Sequence, residues 1–95
     1  MPSLSDLKNA FRFQREAKRV RKELKSIHVE AEGRWCNVTI TAEQEVVSVE
    51  IKEGAPTVEL ATDLKDALNR ALKKAQVVSA EKMQPILGDM GLPTG

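Results

Sequence analysis

Five cations near the start of this chain share one helical face. Lys8, Arg12, Arg15, Arg19 and Lys22 lie four, three, four and three residues apart, a spacing that stacks them along one side of an α-helix. Guanidinium and ammonium groups held in a row bind anions, above all the phosphates of a nucleic acid. Lys18, Arg21 and Lys25 lie near the stripe and add to it. Glu16 and Glu23 follow Arg12 and Arg19 by four residues. With the base N-terminal to the acid, such pairs are worth at most a few tenths of a kcal/mol. Most of the stripe is left uncompensated, and crowding like charges costs free energy. A polyanionic partner explains the cluster better than a solvated helix face does.

Other reactive side chains are sparse: the chain has one histidine, one cysteine and no tyrosine. It carries no Ser-His-Asp set and no glycine loop of the phosphate-cradling kind. Catalysis, a bound metal, a cofactor and a small-molecule substrate are therefore not expected. His28 falls at a helix–strand junction, where an imidazole stabilises a helix C-terminus. Cys36 alternates with Val38 and Ile40 and reads as an inert, small apolar residue. Trp35 lacks the second aromatic that base-stacking platforms use, so it is expected in a core or an interface. Further on, Glu59, Asp63 and Asp66 precede Arg70, Lys73 and Lys74. That order suits a helix dipole, with Asp66 and Arg70 in the favourable i,i+4 orientation. Arg70, Lys73 and Lys74 are secondary candidates for contact with DNA.

The elements that must position these groups follow from periodicity. Ala10, Phe13, Ala17, Val20, Leu24 and Ile27 form an apolar stripe roughly opposite the cations, so one helix from about Leu4 to Ile27 is expected. Ser3 and Ser5 are its candidate caps. Leu4, Leu7 and Phe11 make a second apolar patch on its first turns. His28–Glu32, Trp35–Thr41 and Val46–Ile51 alternate with period two and read as three strands, with Val47, Val49 and Ile51 sharing a face. Short connections make an antiparallel meander. Gly54 and Pro56 mark a loop. A second helix, capped by Thr57, carries Leu60, Leu64, Ala67, Leu68, Ala71, Leu72, Ala75 and Val78. It is expected to persist to about Met83, with Pro85 ending it or allowing one more turn. The tail over 85–95 is expected to be partly flexible and to dock in part through Ile86, Leu87, Met90 and Leu92.

The fold class is thus α+β, in the order α-β-β-β-α, as one domain over residues 1–95. Two long helices over three short strands leave apolar stripes uncovered, so a homodimer is expected. Its interface candidates are Leu4, Leu7, Phe11, Trp35, Leu68 and Leu72. The net charge of +1 hides an asymmetry. Residues 1–25 hold eight bases and three acids, a net +5, while residues 26–95 hold seven bases and eleven acids, a net −4. No apolar run reaches the roughly 20 residues of a membrane span, and the cytoplasm is the expected compartment.

These features resemble the YbaB/EbfC family of nucleoid-associated DNA-binding proteins. The resemblance rests on the basic first helix, Val38-Thr39-Ile40, Val49-Glu50-Ile51, the run Leu60…Asn69…Ala71…Glu81-Lys82-Met83 and the Gly91-Leu92-Pro93 tail. It implies a small bacterial homodimer whose protruding helices grip double-stranded DNA in the nucleoid, without catalysis. Two positions depart from the pattern. Ala42 stands where the family has glycine, so a different turn is expected there. Between the first two strands only Gly33 stands in place of a glycine-rich stretch. A protein-interaction scaffold pairing its long helices with an acidic partner, or an RNA-binding module, is the alternative reading.

Overall fold

A computed structural model describes residues 4–89. The elements run α1 (Leu4–Ser26), β1 (His28–Glu32), β2 (Cys36–Thr41), β3 (Val46–Ile51) and α2 (Thr57–Asp89). The sheet is antiparallel throughout, in the order β1-β2-β3. This is the α-β-β-β-α order read from periodicity. The candidate cap Ser3, the side chains of Ser5 and Leu87, and the tail residues Met90, Gly91, Leu92 and Pro93 lie outside the described residues.

Two details differ from expectation. Trp35 precedes β2, which begins at Cys36. Its amide is bound to a helix carboxylate instead of a strand partner. The α2 helix opens with the Leu60 amide donating to the Pro56 carbonyl at 2.8 Å, so Pro56, not Thr57, holds the cap position. At its other end α2 passes through Pro85 to Asp89, the further turn expected as the alternative to a stop there. Proline removes one helical hydrogen bond, and the next residue, Ile86, is buried. Packing there offsets the lost bond.

Two apolar clusters hold the chain together. In the first, Val29, Ala31, Cys36, Val38 and Ile40 from β1 and β2 meet Ala67, Ala71 and Ala75 of α2. The three alanines recur every four residues and are fully buried. Their small side chains let the helix lie close on the sheet. In the second, Val20 and Leu24 of α1 meet Ala42 and Ile86, with Phe13, Ile27, Val78 and Met83 packed against them. Thus α2, about 50 Å long at 1.5 Å per residue, covers the sheet with its first half and pairs with α1 through its second. The molecule is elongated, 63 × 23 × 20 Å.

The turn between β2 and β3 begins with Ala42, directly after Thr41. Ala42 has ordinary backbone angles, and its methyl group is buried in the second cluster. Gln44 carries the left-handed conformation instead, at φ 69°. The Thr41 hydroxyl accepts from the amides of Glu43 and Glu45, both at 3.2 Å, and fixes the turn.

Candidate nucleic-acid interface

The inner face of α1 anchors from Phe13 onward. Ala17, Val20 and Leu24 are buried, whereas Ala10 is exposed despite its place in the apolar stripe. The helix therefore projects beyond its packing partner over its first turns. Lys8, Arg12, Arg15, Lys18, Arg19, Arg21, Lys22 and Lys25 are all exposed. From Lys8 to Lys22 the stripe extends about 21 Å along the axis. Arg12, Arg15, Glu16 and Arg19 line a shallow groove of about 340 Å³. Glu16 reaches Arg12 only at 3.7 Å, and Lys25 meets Glu43 at 4.0 Å. Both are long, exposed pairs of small energetic weight. Among the described residues no other ion pair within 4.0 Å involves these eight cations, so most are free to bind an anion.

The outer sheet face has the opposite character. Glu30, Glu32, Asn37, Thr39, Ser48 and Glu50 line it, and Glu32 pairs with Lys52 at 3.2 Å. A polyanion is repelled from that face and attracted to α1.

The three secondary candidates on α2 divide. Arg70 Nη2 donates to the Glu32 carbonyl at 3.1 Å, and Lys74 Nζ donates to the Glu30 carbonyl at 3.0 Å. These carbonyls point away from β2, because Ile27 and Gly33 bond inward at either end of β1 and direction alternates along a strand. Arg70 and Lys74 thus cap the outer edge of β1. Lys73 is exposed. The expected Asp66–Arg70 pair does not form, since the guanidinium is turned to the strand.

Sequence reading passed over Asp63 as a helix-dipole charge. Its carboxylate accepts from the backbone amides of Arg34 at 2.9 Å and Trp35 at 2.8 Å, and from Cys36 Sγ at 3.3 Å. These bonds pin the β1–β2 turn to the first half of α2. The Trp35 amide bond does most to hold the carboxyl below the ordinary aspartate range. Burial, with Asp63 beside it, pushes the Cys36 thiol up, so the sulfur stays protonated and unreactive. Gly33 is needed for this approach, because a Cβ there would lie 2.5 Å from Asp63 Oδ2. No spacing or residue pattern in the sequence signals this contact. Trp35 itself is half-buried, donates from Nε1 to Glu59 at 3.0 Å and stacks under Arg34 at 5.3 Å.

One apolar surface has no cover among the described residues. Partners across a sheet share a face, so Ile51, Val49 and Val46, opposite Cys36, Val38 and Ile40, lie on the core side. A bulge between Thr39 and Ile40 shifts the register, which puts Val46, not Val47, in that row. Yet α2 lies across β1 and β2, and every residue of β3 is exposed. Leu68 and Leu72 are half-buried against the first cluster. At about 100° per residue they fall on the flank of α2 opposite Arg70 and Lys74, which is the β3 side. Leu4, Leu7 and Phe11 are exposed at the tip of α1.

Among the described residues no helix is long and apolar enough to cross a membrane. No group of three or more His, Cys, Asp or Glu there is arranged to hold a metal ion.

Residues 1–90 match the family described as the YbaB/EbfC DNA-binding family. A nucleoid-associated protein of Nitrobacter winogradskyi is 35% identical, over 97% of this chain and 92% of its own length. One from Rhodopseudomonas palustris is 34% identical over 97% and 93%. One from Acinetobacter baumannii is 39% identical over 73% of this chain and 66% of its own. The crystal structure of an uncharacterized protein from Helicobacter pylori matches with a TM-score of 0.56 and 16% identity, covering 95% of this chain and 98% of that one. That likeness extends to the fold.

Proposed function

Because the chain belongs to the YbaB/EbfC DNA-binding family, we propose that it binds duplex DNA as a non-enzymatic homodimer through the cations of α1. The observation that carries this reading is the row of exposed, largely unpaired bases on one face of a helix whose other face is buried. The contacts are to phosphates, and binding is tolerant of sequence, because the row presents charge at a regular pitch. Cytoplasmic residence on the nucleoid, with effects on nucleoid organisation and gene expression, follows from this reading and from the names of the relatives.

Homodimerisation is supported by the bare core-side face of β3. Val46, Val49 and Ile51, continuous with Leu68 and Leu72, would be covered by the same surface of a second copy. The two α1 arms then bring two cationic rows to one duplex.

A salt series on duplex DNA tests the reading. Each phosphate contact adds roughly 0.9 to the slope of log affinity against log salt. Replacing Arg15 and Arg19 with Ala in both subunits removes up to four contacts. The slope falls by up to about 3.6, equally on unrelated sequences. Alanine preserves the helix at these exposed positions, which circular dichroism checks. An unchanged slope in the folded variant would exclude both arginines.

A further inference from the structure

We propose that Phe11, backed by Leu7 and Leu4, is an apolar wedge that enters the base stack of the duplex held by the α1 cations and kinks it. This rests on the DNA-binding reading and goes beyond phosphate neutralisation.

Phe11 is 65% exposed, Leu7 45% and Leu4 78%. Its near neighbour Phe13 packs into the α1–α2 cluster. Two residues turn a helix by about 200°, so the Phe11 ring points away from that cluster. Lys8 precedes it by three residues and Arg15 follows by four, the spacings of neighbours on one helix face. Leu4, Lys8, Phe11, Arg15, Lys18, Lys22 and Lys25 thus form one exposed line, apolar toward the tip and basic beyond it. A bare apolar patch continuous with a phosphate-binding row matches the chemistry of a kinked duplex. Cations hold the backbone, and an apolar side chain fills the gap between partly unstacked bases. The bare β3 flank supplies a separate surface for a second copy, which leaves the tip free. A wedge reads ease of unstacking, so it favours pyrimidine–purine steps without base-edge contacts.

The test uses the full chain and short duplexes with dyes at both ends, or with 2-aminopurine at a central TA step. The wild type is expected to shorten the end-to-end distance by a bend of at least about 20° and to raise 2-aminopurine fluorescence on binding. F11A is expected to lose both signals while keeping the salt slope, and F11L to retain part of each. R15A/R19A is expected to lower the slope at equal occupancy without abolishing the bend. Sedimentation of F11A should match the wild type. Five results would overturn the proposal. The wild type could bind with a steep salt slope yet leave the duplex straight and stacked, which sinks the wedge and spares the binding reading. F11A could bend DNA as the wild type does. F11A could sediment as a monomer where the wild type is a dimer, which makes the tip a subunit contact. F11A could lose binding to anionic vesicles while DNA bending persists, which makes the tip a lipid anchor. No binding to duplex at any salt would sink both readings together.

Discussion

Asp63 shows how one side chain sets the relation between two elements. Three donors from the β1–β2 turn and the start of β2 converge on its carboxylate, and they hold its pKa below the ordinary aspartate range. A carboxyl lowered in the folded state contributes stability above its unfolded value, near pH 4. That contribution is lost as pH falls through the folded value. Asp63→Asn should therefore flatten the loss of stability as pH falls below about 4, measured by urea denaturation at each pH. Gly33→Ala tests the same contact from the other side. Its Cβ meets a carboxylate that three bonds hold in place, and overpacking of this kind costs about 1–3 kcal/mol. A lower midpoint in the same denaturation series is expected, with DNA affinity per folded molecule unchanged. None of this was legible in the sequence. Asp63 there is one of several acids at a helix start, and only the fold brings it to residues nearly thirty positions away.

At the scale of elements, most of the architecture was legible, because each periodicity is strong and the breaks are clean. The 3.6-residue stripes of α1 and α2 and the alternation of β1 and β2 translate directly into buried faces. Pro85 is compatible with a stop or with one more turn, and burial of Ile86 favours the further turn. The misreadings have physical causes. Val47 reads as a member of an alternating face, but the bulge puts Val46 there. The cationic row was legible because charge at helical spacing needs no tertiary information. The turning of Arg70 and Lys74 to a strand edge was not, because it depends on where the sheet lies. The exposure of β3 gives the element-scale prediction. Val49→Asp places a charge on its exposed core-side face, beside Val38 of β2. Sedimentation should shift from about twice the 10.5 kDa chain mass toward the monomer, with the helical signal retained. An unshifted dimer would move the interface elsewhere, with the tip of α1 next in line.

For the whole molecule, the unequal treatment of the two sheet edges matters most. Along β1, Arg70 and Lys74 occupy the outward carbonyls of Glu32 and Glu30. Along β3 no such cover exists among the described residues, and the adjoining apolar face is bare. Free strand edges recruit further strands. Replacing Arg70 and Lys74 with Ala together should produce species larger than the dimer in light scattering, growing with protein concentration. The same variant should keep its salt slope on DNA, since neither side chain is free to reach a phosphate. In the proposed dimer the caps would make the chain like a monofunctional monomer in polymer chemistry: its single bonding valence would be satisfied by one partner, and growth would stop at two. Remove them and it becomes bifunctional, and step-growth along a duplex has no natural end.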